Sequence, residues 1–168
     1  MSVFKRIKNI MKNPEPPKTE KSILTLGPGD IAEVSLVTYE VIGRTTSVKR
    51  SETFLTLQDG NIIRYLKIEQ REKLYYKLYS PIDGRLDSIH EIPSTIEMDD
   101  VMYHLEDQYA CYVSVIGHTP FSAAGEQHIW EFQSDNRKLL RIEWQDGRMM
   151  MYEGEAVLPA DVQVIRAT

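Results

Sequence analysis

A chain of 168 residues, with 42% hydrophobic and 27% charged side chains, has the composition of a globular protein that buries a real core, which excludes fibrous, collagenous and wholly disordered classes. Its single cysteine, Cys111, excludes an internal disulfide and a cysteine-based zinc site and suits a reducing compartment. No run approaches the ~18 apolar residues of a membrane span and the start lacks the apolar stretch of a signal peptide, so the expected address is the cytoplasm.

The charge is divided along the chain. Residues 1–21 hold six Lys or Arg against Glu15 and Glu20, a surplus of +4, and the remainder holds 14 basic against 23 acidic side chains, −9. An acidic body repels phosphate backbones, so nucleic acid is not an expected partner. Within the basic segment Val3, Phe4, Ile7, Ile10 and Met11 recur at helical spacing, with Lys5, Arg6, Lys8 and Lys12 on the other side. The spacing predicts a short N-terminal amphipathic basic helix. Phe4, Lys5, Arg6, Ile7 and Lys8 form its docking surface, for an anionic membrane, a partner or the chain's own body. Pro14, Pro16 and Pro17 then favour an extended tether up to residue 22.

From Ile23 the apolar period becomes two. Phe54-Leu-Thr-Leu57, Leu66-Lys-Ile-Glu69, Trp130-Glu-Phe-Gln133 and Leu140-Arg-Ile-Glu-Trp144 alternate as half-buried antiparallel strands do. Turn signals at Gly27-Pro-Gly-Asp30, Asp59-Gly-Asn61, Pro81-Ile-Asp-Gly84, Ser134-Asp-Asn136 and Asp146-Gly147 separate them. The expected fold is all-β, mainly antiparallel, with ten or more strands and no crossover helices.

The order of these runs repeats. Val37-Thr-Tyr-Glu-Val41, Phe54-Leu-Thr-Leu-Gln58 and Leu66-Lys-Ile-Glu69 match Val101-Met-Tyr-His-Leu105, Ile129-Trp-Glu-Phe-Gln133 and Leu140-Arg-Ile-Glu143, with offsets of 64, 75 and 74. About ten extra residues in the second copy fall within Gly117–Gln127. The organisation expected is residues 1–22 as helix and tether, 23–92 as a first β-meander repeat and 93–168 as a second. The two homologous tandem repeats are expected to pack together with their apolar faces meeting. Leu57, Leu66, Ile68, Phe132, Leu140 and Ile142 are then buried, and Lys67, Glu69, Arg141 and Glu143 lie on the wet face.

Taken in order, Gly29-Asp30, Val37-Thr-Tyr-Glu-Val41, Leu66-Lys-Ile-Glu69, Pro93, Tyr103, Trp130-Glu-Phe132 and Leu140-Arg-Ile-Glu-Trp144 make the chain resemble the bacterial domain of unknown function 4178 over about residues 23–166. The lead Phe4-Lys-Arg-Ile7 resembles the basic start that members often carry. Asp99-Asp100 departs from the neutral hairpin turn of the family pattern. The family has no established activity, so the resemblance carries over no catalytic residue, and no cofactor is expected. Through the genes that accompany such proteins, it implies a role in envelope stress or membrane maintenance.

No catalytic motif emerges. His90, His104, His118 and His128 have no metal-pair spacing, so no metal site is expected. Glu69 and Glu143, at matched repeat positions, suggest an acid–base pair, but Glu beside Lys67 or Arg141 on alternating strands belongs to surface ion pairs. Cys111, between Tyr109 and Val113, reads as a buried inert thiol. The small residues of the inserted stretch, with Phe121 inside it and His118 and His128 at its flanks, read as a mobile partner-contacting loop. The expected function is a non-enzymatic protein-interaction module, cytoplasmic and peripheral at the inner membrane face. The competing reading is a small-ligand-binding or hydrolytic β-domain with a site where the repeats meet. A deep cavity there would favour the second and a filled interface the first.

Overall fold

The computed structural model describes residues 22–84, 86 and 89–167, so the expected N-terminal helix, including Phe4, Lys5, Arg6, Ile7 and Lys8, lies outside the described residues. The described chain folds into eleven antiparallel strands: β1 (Ile31–Val34), β2 (Val37–Ser47), β3 (Glu52–Asp59), β4 (Ile62–Gln70), β5 (Leu74–Ile82), β6 (Thr95–Met98), β7 (Val101–Gly117), β8 (Gly125–Ser134), β9 (Leu139–Gln145), β10 (Arg148–Val157) and β11 (Val162–Arg166). Helical structure among the described residues is confined to three 3-10 turns, Ile23–Thr25, Ile89–Glu91 and Pro159–Asp161.

The strands run β11-β1-β2-β3-β4-β5-β10-β9-β8-β7-β6, and a further pairing of β2 with β7 closes β2–β5 and β7–β10 into an eight-stranded barrel. Each half contributes one four-stranded meander. The first strands of the two halves pair with each other from Gly43↔Gly117 to Thr46↔Ser114, and the last strands pair from Val157↔Tyr76 to Met151↔Ile82. Glycine is required at the first of these seams, because a Cβ on Gly43 would fall on the carbonyl of His118.

The halves share local geometry at the offset read from the sequence. The two-residue turns Ser35-Leu36 and Asp99-Asp100 both hold positive φ at each centre, 50° and 67° against 50° and 62°, as the tightest hairpin turns require. Asp tolerates that conformation, which accounts for the acidic pair in place of a neutral turn. Bulges between Val41 and Gly43 and between Leu105 and Asp107 fall 64 residues apart. Further along, the backbone corrects the sequence offset. The connection after β8 is one residue longer than that after β3, with Gln58↔Ile63 answered by Gln133↔Leu139. The counterpart of Ile142 is therefore Leu66 rather than Ile68, and the counterpart of Glu143 is Lys67 rather than Glu69.

Alternation correctly identifies the buried apolar residues: Leu57, Leu66, Ile68, Leu140 and Ile142 have no exposed surface and Phe132 has almost none. Their faces do not meet, however. Because the halves join edge to edge rather than stacking, each apolar face turns to the outside of the barrel and is covered there. Ile23, Leu26, Ala32 and Val34 lie over Tyr39, Val41, Leu55, Leu57, Leu66 and Ile68. On the other wall Ile82, Leu86, Ile92, Ile96 and Met98 lie over Tyr103, Trp130, Phe132, Leu140 and Ile142. Each bulge reverses the face of its strand, so that Tyr39 and Val41 belong to an outer cluster while Thr45 and Ser47 line the lumen.

The lumen receives the side expected to be wet. Lys67, Arg141 and Glu143 are 2%, 3% and 2% exposed, which corrects the surface assignment of these three, while Glu69 is half-buried and pairs with the exposed Arg71 at 3.0 Å. A period-two pattern groups residues by face, and closure of the barrel encloses the polar one.

Candidate functional site

The lumen is filled in layers. One layer is aromatic: Phe54 on β3 stacks on Tyr65 of β4 with centroids 5.2 Å apart, and Tyr152 of β10 meets both rings edge-on at 5.6 and 5.2 Å. Such offset and edge contacts contribute about 0.5–1.5 kcal/mol each beyond area burial. Above it Arg141 of β9 places its guanidinium 5.1 Å from the Phe54 centroid, which gives the cation an aromatic face on one side.

Around Arg141 the charges are paired. Its Nη1 donates to Glu131 Oε1 at 2.6 Å, and its Nε and Nη2 both donate to Glu143 Oε2, at 3.1 and 3.0 Å. Lys67 Nζ donates to the same Glu131 oxygen at 2.7 Å and lies 3.6 Å from Glu52, while Lys77 Nζ is 3.8 Å from Glu131 Oε2. Three cations thus face three carboxylates, a balance that buried charge demands because an unpaired ion away from water costs several kcal/mol. Burial alone would raise the Glu131 carboxyl, but Arg141 and Lys67 overcome it and hold Glu131 down at about 2. Arg141 is desolvated yet held above its ordinary value by Tyr109, Glu143 and Glu131. Lys77 is lowered, first by burial and then by Lys67 beside it.

Tyr109 and Arg50 carry the network across an opening in the wall. Backbone pairing of β2 with β7 ends at Thr46↔Ser114, and beyond that point side chains bridge the strands. The Tyr109 hydroxyl lies 2.9 Å from Glu52 Oε2 and accepts from Arg141 at 3.2 Å. Arg50, from the β2–β3 turn, lies 3.7 Å over the Tyr109 ring and donates to Asp107 at 3.0 Å. Desolvation and the neighbouring carboxylates push the Tyr109 phenol far up, so it serves as a neutral donor.

The space left among these groups is a cavity of about 10 Å3 walled by Thr45, Ser47, Glu52, Lys67, Cys111, Arg141 and Glu143, among others. That is room for about one water molecule. Glu143 Oε1 and the Tyr152 hydroxyl are buried without a hydrogen bond of good geometry. The Glu143 charge nevertheless reaches Tyr152, whose phenol is raised by burial first and by that carboxylate second. A carboxylate held at about 2 is a weak base, and a guanidinium engaged by two carboxylates has little left to offer a substrate.

The residues singled out from sequence are dispersed. Cys111 is buried with its thiol pushed up by desolvation, as an inert thiol should be. Phe121 is 3% exposed, inside the body rather than at the tip of a mobile loop, because its stretch is anchored: Thr119 donates to the Phe121 carbonyl and Gln145 to that of Ala123. His118 is exposed, with its backbone N–H tied to Ile42. His128 is partly exposed, near Glu126 and packed against Trp130 and Trp144. Among the described residues no three His, Cys, Asp or Glu side chains are grouped as metal ligands. Glu52, Lys77, Tyr109 and Glu131 were not legible as site residues. Their signal was matched opposite charge on the polar parity of several strands that are also rich in aromatics.

The model of a family described as a domain of unknown function, DUF4178, matches residues 27–159. Neither the curated proteins nor the solved structures include a match to the chain.

Proposed function

Given that the chain belongs to the DUF4178 family, we propose that it is a non-enzymatic interaction module, located in the cytoplasm and recruited to the inner face of the membrane. The observation that carries this reading is the filled lumen. Inside the barrel the charged groups are engaged with one another and the remaining cavity has room for about one water, while the grooves of about 590 and 400 Å3 along the β5–β10 seam lie on its outer side. A small-ligand or hydrolytic site inside the lumen would need a cleft of several hundred Å3. The barrel instead acts as a rigid body that displays its surface, including His118 and His128 beside the inserted stretch that Phe121 anchors. Shared turns and bulges at a 64-residue offset support descent of the two meanders from one duplicated unit. The role in envelope stress or membrane maintenance rests on the family resemblance alone.

The test is co-sedimentation of the full chain with vesicles. The reading expects binding to vesicles containing anionic lipid, none to neutral ones, and a steep fall as salt is raised, since the basic residues contribute ~1 kcal/mol each within a Debye length of the surface. Phe4→Glu abolishes the binding by placing a charge in the apolar stripe. Indifference to anionic vesicles at low salt would overturn the membrane part. Unchanged partner capture by a His118→Ala, His128→Ala variant would remove those two residues from the interaction surface.

A further inference from the structure

One edge of β7 is paired only at its two ends. There β6 pairs from Met98↔Val101 to Thr95↔His104, and β2 pairs from Thr46↔Ser114 to Gly43↔Gly117. Leu105 N–H still reaches the Ser94 carbonyl at 2.8 Å. From there to the seam, no strand among the described residues pairs with residues 106–113 on this edge, a slot about 27 Å long. On the other edge β8 pairs with the same stretch as far as Val113↔Gly125, which holds it extended. The first half has no such slot, since β2 leaves β1 at Glu40 and joins β7 at Gly43 with two residues between. The extra length of β7, 17 residues against 11 in β2, opens it. An open edge presents the N–H and C=O of every second residue to whatever lies alongside.

The side chains at the slot show which chemistry suits it. Arg50 reaches across from the β2–β3 turn, lies 3.7 Å over the Tyr109 ring and donates to Asp107 at 3.0 Å. It answers one of three exposed carboxylates, Glu106, Asp107 and Glu126, the last in register with Tyr112. Tyr112 is 65% exposed and offers an aromatic face to a further cation. We propose that residues 106–113 of β7 are a strand-addition site for an extended basic segment of a protein partner. Backbone hydrogen bonds along the edge supply affinity, and Arg or Lys side chains set against Glu106, Asp107 and Glu126 supply selectivity. Charge disfavours a second copy as the occupant, because the same carboxylates would then face one another across the new pairing. This assignment names the partner class of the proposed interaction module and rests on that reading.

Amide hydrogen exchange of the full chain, read residue by residue by NMR, tests the site. In the free protein, every second amide of residues 106–113 is expected to exchange fast, and those between them, bonded to β8, slowly. The probe is a short peptide of alternating arginine and valine, with one of alternating glutamate and valine as control. The basic peptide in excess is expected to slow the fast set about tenfold, and the acidic one to leave it unchanged. Glu106→Lys with Glu126→Lys, both at exposed positions, is expected to weaken the basic peptide about tenfold. Should that variant melt early, the basic peptide with every backbone nitrogen methylated makes the same test on the unaltered protein, since it keeps its charge and loses its donors. Slow exchange of all these amides in the free protein overturns the proposal. So does a basic peptide that leaves them unprotected, or equal protection by the methylated one. Protection that rises with protein concentration alone overturns it in favour of a second copy. Neither vesicles nor His118 and His128 enter this experiment, so its failure removes the edge and leaves the module reading to its own tests.

Discussion

Arg141 and Glu143 separate two accounts of one pair of neighbouring strand residues. If Glu143 faced water, Glu143→Ala would change stability by no more than about 0.5 kcal/mol. In the barrel its carboxylate accepts from two nitrogens of a buried guanidinium, and its removal leaves Arg141 short of charge. Glu143→Ala is therefore expected to cost about 3–5 kcal/mol. Ile142→Ala, on the opposite face under its apolar cover, is expected to cost about 2–4. Comparable losses in denaturant melts are the expected outcome, and a near-neutral Glu143→Ala would return that residue to the surface. Glu131 supplies a pH test. Its folded value is depressed to about 2 from an ordinary 4.5, so its contribution is fully present above that ordinary value and is lost as pH falls through about 2. The contribution is on the order of 3 kcal/mol. Glu131→Gln should be much less stable than wild type at pH 7, and the difference should shrink between pH 4.5 and 2. A difference unchanged across that window would contradict the pairing.

Among the elements, the two hairpins that open the meanders use turns that L-residues adopt reluctantly. Asp99 and Asp100 both sit at positive φ with like charges side by side. Replacing them with Asn-Gly, the pair best suited to this turn, is expected to stabilise the protein by about 1 kcal/mol. A loss of stability would mean that the acidic pair holds something beyond the turn. The strand β7 shows how an element can be read correctly and still mislead. Its run Val101-Met-Tyr-His-Leu105 and its later run Tyr109-Ala-Cys-Tyr-Val113 are both legible as strand. The bulge between Leu105 and Asp107 joins them into one 17-residue strand, buries Tyr103 in an outer cluster and turns Tyr109 into the lumen. No residue type in that stretch announces the reversal, because a bulge is set by the pairing of both strands.

For the whole molecule, strands, hairpins and the buried aliphatic residues were legible, because period-two alternation and turn chemistry are local. Which face would be enclosed was not. Leu66 and Lys67 alternate equally well in an open sandwich and in a closed barrel, and the choice rests on two pairings between distant segments, β2 with β7 and β5 with β10. The candidate site was legible only as charges, since an ion pair written along strands looks the same whether water or a second wall lies opposite. Once closure joins the halves edge to edge, Lys67, Glu131 and Arg141 must neutralise one another, and the outer apolar walls need the covers supplied by Ile23, Leu26, Ala32 and Val34 on one side and by Ile82, Leu86, Ile92, Ile96 and Met98 on the other. Amine acylation of the native protein, read residue by residue by mass spectrometry, tests this enclosure most directly. Lys67 should remain unmodified until denaturant opens the barrel, while the exposed Lys49 and Lys73 react at once. Labelling of Lys67 as fast as that of Lys49 and Lys73 in the native protein would contradict a lumen built from the polar face.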